Sequence, residues 1–188
     1  MSDVAYLNSL LGVHPDFPKK GIVFLDIFPL LQDPVAFETL ITHFLHHLTS
    51  VTLPKLRETT GNPAAKIDTI VGLDARGFLF GPLLALRLGA AFVPVRKQGK
   101  LPGKCFQAQY EKEYGVDTFE MQEGAIKEGQ NVVIIDDLIA TGGSALAATQ
   151  LVQQSKGNVV QNLFVVDIEF LKGTEKLAAP SYSIIKAD

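Results

Sequence analysis

The chain has 188 residues, 47% hydrophobic and 20% charged, an ordinary globular composition that excludes a disordered, collagen-like or disulfide-stapled chain. Seventeen Lys and Arg against twenty Asp and Glu leave a net charge of -3, so no broad grip on nucleic acid or an anionic membrane is expected, and any basic site must be local. The single cysteine, Cys105, cannot close an internal disulfide, and no Cys/His grouping has zinc spacing, which suits a reducing, cytoplasmic setting.

Residues 1–11 lack the charged start and long apolar run of a secretion signal. Asp33-Pro34 reads as an N-cap followed by proline in the first helical turn. It opens an amphipathic helix through Phe37, Leu40, Ile41, Phe44, Leu45 and Leu48. His43 and His47 stand four apart on that helix, but no carboxylate or cysteine accompanies them, so they read as polar positions on a half-exposed face. From Ser50 to Lys66, Pro54, Thr59, Thr60, Gly61, Asn62 and Pro63 predict a connecting loop.

Strand-like runs follow at Ile67–Leu73, Ala91–Val95, Val132–Ile135, Leu163–Val166 and Tyr182–Ile185, with helical patterns at Leu79–Leu88 and Ser144–Ser155. The apolar stretch Gly77–Val95 is broken by Pro82, Arg87 and Pro94, so it reads as helix plus strand in a soluble chain and not as a membrane span. Strands alternating with helices predict an α/β fold, a mostly parallel twisted sheet flanked by helices, with ligands at the carboxyl ends of the strands. The chemistry is therefore expected just after Leu73 and just after Ile135. Between them Gln107–Gln122, rich in Glu, Gln and Asp with Tyr110 and Tyr114 interspersed, is too polar for a core element and reads as an exposed hairpin or a lid.

The most informative segment is Val132–Ser144. Four apolar residues are followed by Asp136 and Asp137, then by Ala140-Thr141-Gly142-Gly143-Ser144 and a helix. The glycines let backbone approach a ligand, Thr141 and Ser144 add hydroxyls, and the helix start offers unpaired N–H groups, which together make a phosphate cradle. The acids suit sugar hydroxyls and a nearby magnesium ion. Arg76 after one strand, and Arg96, Lys97 and Lys100 after the next, suit a multiply charged anion. A nucleoside-triphosphate P-loop is excluded because Phe78 stands where its lysine belongs.

This segment resembles the phosphoribosyl pyrophosphate signature of the type I phosphoribosyltransferases. Within that family the adenine-specific members are the best match, through Asp16–Ile27, Gly72–Phe78, Arg96–Gly103 and Leu171–Leu177. The resemblance implies the type I fold in one domain, with a base-binding hood over residues 1–32 and a mobile catalytic loop over 104–122. It implies transfer of phosphoribosyl from phosphoribosyl pyrophosphate to adenine, giving AMP and pyrophosphate, with Mg2+ as cofactor in a homodimer with shared active sites.

By the same resemblance Val23, Phe24 and Leu25 hold adenine, and Asp74, Ala75 and Arg76 form the pyrophosphate turn with a cis Asp74–Ala75 bond. Arg96 and Lys100 reach the neighbouring subunit, and Glu113 handles the proton beside Tyr114 in the lid. Leu25 departs from the basic residue of many members. A 6-oxopurine enzyme is disfavoured because the acidic pair is Asp-Asp, and an orotate enzyme because Asp16–Ile27 is present. A DNA-binding regulator that senses phosphoribosyl pyrophosphate would need an added basic element, which the sequence does not show.

Overall fold

A carboxylate and a proline set the first long helix. The computed structural model describes residues 2–17, 19–111 and 115–187, and its chain divides into two units, 1–44 and 45–188. In the first, helix α1 (Asp3–Ser9) precedes strands β1 (Gly12–Pro15) and β2 (Val23–Asp26), which pair antiparallel. Helices α2 (Phe28–Gln32) and α3 (Pro34–His47) follow, α3 running past the boundary into the second unit. Asp33 caps α3 as expected, Oδ1 accepting from the Val35 and Ala36 amides at 2.8 and 3.3 Å. Its Oδ2 accepts from the Tyr6 hydroxyl at 2.9 Å.

In the second unit the expected loop after residue 50 is largely helical: α4 spans Leu53–Thr60. The signals read as breakers sit where a helix tolerates them. Pro54 lies in the first turn, where its missing N–H costs nothing, and Gly61 ends the helix at φ +63°. Strand β3 (Thr69–Leu73), helix α5 (Gly81–Leu88) and strand β4 (Ala91–Lys97) form one strand–helix–strand crossover, β3 pairing parallel with β4. Strands β5 (Cys105–Glu111) and β6 (Val116–Gln122) make an antiparallel hairpin. Strand β7 (Asn131–Ile139), helix α6 (Gly143–Gln154) and strand β8 (Asn158–Ile168) make the second crossover, and β9 (Ser181–Ala187) ends the chain.

These seven strands form one sheet in the order β5-β6-β4-β3-β7-β8-β9, parallel except where β6 meets β4 and β5. Every residue of β3, and Val132 to Ile135 of β7, is buried, as central strands covered on both faces require. The hairpin is one of the two expected forms, but its expected exposure is corrected. Ala108, Tyr110, Phe119 and Met121 are buried beside Ala147 and Leu151 of α6, because alternation along β5 sends Ala108 and Tyr110 inward while Gln107 and Gln109 face out; on β6 the intervening Glu120 is buried as well. His47 stacks on Tyr182, ring centroids 3.8 Å apart. Among the described residues no group of three His, Cys, Asp or Glu is placed to hold a metal, and no helix is long and apolar enough to cross a membrane.

Candidate active site

Strand β7 carries the acidic pair further than the sequence suggested. Pairing with β8 continues past Asp136, opposite Phe164, to Ile139, opposite Asp167, so the acids stand inside the strand and not in the turn after it. Asp137 is only 4% exposed and its Oδ2 lies 2.8 Å from Nε of Arg76. Arg76 reaches it because Gly77 lies directly against the Ile135 carbonyl, where any Cβ would collide. Burial pushes the Asp136 carboxyl well above the usual carboxylate range, and the charge of Asp137 adds to the push. Burial raises Asp137 too, with Arg76 opposing.

Past Ile139 the chain turns through Ala140–Gly142 into α6. Gly142 is the N-cap, in the left-handed region at φ +81°, and a Cβ there would lie 2.6 Å from the Gly173 carbonyl oxygen. The segment around Gly173 packs on the turn, and Lys176 Nζ donates to the Thr141 carbonyl at 2.8 Å. Arg76, Asp136, Asp137, Ala140, Thr141, Gly142, Gly143 and Ser144 line one pocket of about 190 Å³, with Phe164 in its wall. An arginine, two carboxylates and a helix start of unpaired amides can hold a phosphorylated sugar: anion at the helix, hydroxyls at the acids.

Residues 55–175 match the phosphoribosyl transferase domain. The adenine phosphoribosyltransferase of Yarrowia lipolytica is 55% identical over 179 residues, covering 95% of this chain and 93% of that protein. The chain belongs to the adenine phosphoribosyltransferases. Adenine phosphoribosyltransferase 1 of Saccharomyces cerevisiae is 51% identical over 190 residues, covering 100% of this chain and 96% of its own. A crystal structure of the Saccharomyces cerevisiae adenine phosphoribosyltransferase, complexed with an imino-altritol bisphosphate and adenine, superposes with a TM-score of 0.87. It covers 97% of this chain and 98% of its own at 51% identity.

The remaining positions expected of an adenine phosphoribosyltransferase fall into three groups. The Asp74–Ala75 bond is cis. Asp74 Oδ2 accepts from Arg96 Nε at 3.2 Å and from the Lys97 amide at 3.4 Å, which ties the second basic loop to the first within one chain. The side chains of Lys97 and Lys100 are exposed. Val23, Phe24 and Leu25 lie on β2 in the first unit, where Phe24 meets Phe17 edge-on at 5.1 Å. Glu113 and Tyr114 lie outside the described residues.

Sequence reasoning left three residues without a role. Lys176 and Gly173 fell in the Leu171–Leu177 motif, and only the fold brings them to the turn. Glu120 was hidden in a run read as solvated, yet it is 6% exposed. For a metal, the acidic pair is a fitting but incomplete donor set. Two adjacent carboxylates with raised proton affinity suit a magnesium ion that keeps water and substrate oxygens as its other ligands.

Proposed function

We propose that the protein transfers the 5-phosphoribosyl group of phosphoribosyl pyrophosphate to N9 of adenine, releasing pyrophosphate and forming AMP. The observation that carries this reading is the pocket joining Arg76, the acidic pair and the Ala140–Ser144 turn, in a chain with the family identity given above. The turn holds the 5-phosphate on the amides of α6. Asp136 and Asp137 accept hydrogen bonds from the ribose hydroxyls. Arg76, Lys97 and Lys100, with the Asp74-Ala75 backbone, take up the charge that grows on the leaving pyrophosphate as the sugar becomes oxocarbenium-like. Val23, Phe24 and Leu25 bind adenine, and Glu113 takes its N9 proton while Tyr114 and the lid exclude water. Mg2+ bound beside Asp136 and Asp137, partly through water, would supply further neutralisation of the pyrophosphate.

The protein is assigned to the cytoplasm, in keeping with its lone Cys105, and to a homodimer with shared active sites. Leu79, Leu83 and Leu86 on and before α5 are 36, 38 and 81% exposed, an apolar stripe at helical spacing that supports an interface between copies. Arg96 is held by its own chain's Asp74, so the reach across the interface falls to Lys100 at the exposed tip of the loop. The reaction is tested by offering adenine, guanine, hypoxanthine and orotate in parallel with phosphoribosyl pyrophosphate. AMP from adenine should dominate; a faster product from another base overturns the assignment.

A further inference from the structure

The second basic loop is laced to the hairpin strand beside it. The Gln98 amide donates to the Thr118 carbonyl at 3.0 Å, the Gly99 amide to Glu120 Oε2 at 2.9 Å, and Gln122 Nε2 to the Pro102 carbonyl at 3.0 Å. Alternate residues of β6, Thr118 through its carbonyl and Glu120 and Gln122 through their side chains, thus grip successive points of the loop. Glu120 is the central stitch. It is a nearly buried carboxylate, and its Oε1 accepts from Gln107 Nε2 at 2.9 Å, so both oxygens are engaged across two elements. Gly99 sits at φ +77° and the Lys100 amide returns to the Lys97 carbonyl at 3.2 Å. This tight turn directs the Gly99 N–H toward the carboxylate and leaves the Lys97 and Lys100 side chains in solvent.

Burying a carboxylate is costly unless its oxygens are hydrogen-bonded, and here the Gly99 amide and the Gln107 side chain supply those bonds. We infer that Glu120 is a positioning residue for phosphoribosyl transfer, fixing the turn Lys97–Lys100 so that its lysines are pre-placed for the pyrophosphate group. The inference rests on the assignment of that loop to pyrophosphate. Glu120 also joins the loop to both strands of the hairpin, since it stands on β6 and accepts from Gln107 of β5. An acid kept only for stability would give no difference between the two substrates.

The test compares Glu120→Met, which removes the acceptor at nearly constant volume, with Glu120→Gln, which keeps an acceptor for Gly99 because the Gln107 amide can turn over to match it. Glu120→Met should raise the KM for phosphoribosyl pyrophosphate about tenfold, leave the KM for adenine within about twofold, and speed amide hydrogen exchange in residues 97–103. Glu120→Gln should recover most of both effects. Gln107→Leu, at an exposed position, should shift the same KM in the same direction by about threefold, and it stands in if Glu120→Met does not fold.

Equal changes in the two KM values, or unchanged exchange in residues 97–103, overturn the inference. Faster exchange with the phosphoribosyl pyrophosphate KM unchanged also overturns it. In that case Lys97→Ala with Lys100→Ala shows whether the loop assignment has failed as well, since that double variant weakens phosphoribosyl pyrophosphate only if the assignment holds.

Discussion

Asp136 and Asp137 are neighbours whose proton affinity burial raises alike, but it is Asp137 whose Oδ2 lies 2.8 Å from Arg76 Nε. Burial and the adjacent charge raise the proton affinity of Asp136, so the folded state holds its proton more tightly than the unfolded chain. The associated penalty is absent below the ordinary carboxylate pKa, grows as pH rises toward the elevated folded value, and is complete above it. Asp136→Asn removes that penalty, and thermal melting near neutral pH should show a Tm higher by about 2 °C or more, with the gain fading in acid. Asp137→Asn should lower the Tm instead, because it leaves the Arg76 guanidinium without the carboxylate at 2.8 Å. Turnover should fall steeply in both variants, and an active, folded double variant would remove the pair from the mechanism.

The hairpin shows how an element can be core and functional at once. Phe119 is 2% exposed and its ring lies 4.6 Å from that of Tyr110. The Tyr110 hydroxyl donates to Asp117 Oδ2 at 3.4 Å. Burial pushes the Tyr110 phenol up to about 12, with the Asp117 charge adding, so it stays protonated at any working pH. The base of the hairpin also docks on α6, where Gln154 Nε2 donates to the Gln107 carbonyl at 3.0 Å. Phe119→Ala should therefore cost about 3–5 kcal/mol in urea denaturation, as a core position does. A loss below about 1 kcal/mol would return the hairpin to the exposed lid that its polar composition suggested.

At the scale of the whole molecule, the proposed sharing of sites turns on Lys100. Arg76, the acidic pair and the turn already line one pocket, whereas Lys100 is carried at the exposed end of a loop. If the proposed homodimer shares its sites, mixing Lys100→Ala chains with Asp136→Asn, Asp137→Asn chains under demonstrated subunit exchange should restore activity to one site in each mixed dimer. A mixture that stays inactive after exchange assigns Lys100 to its own chain's site.

The sheet and the pocket were legible because their signals are local. A buried central strand such as Val132–Ile135 must be continuously apolar, and a turn that brings backbone to phosphate must carry glycine, so Gly142 and Gly143 announce themselves. Helix α4 was not legible, since Pro54 and Gly61 are breakers in composition and become compatible with helix only by standing at its two ends. The buried face of the hairpin was missed for a related reason: its apolar residues alternate with polar and charged ones, and only the partner strand and α6 reveal which face is dry. Local chemistry in the sequence thus determined the strand–turn–helix cradle and its ligand class. The tertiary structure alone decided the pairings of Arg76 with Asp137, Arg96 with Asp74 and Glu120 with Gly99, because each joins residues 21 or more apart in the chain, where no local pattern records the contact.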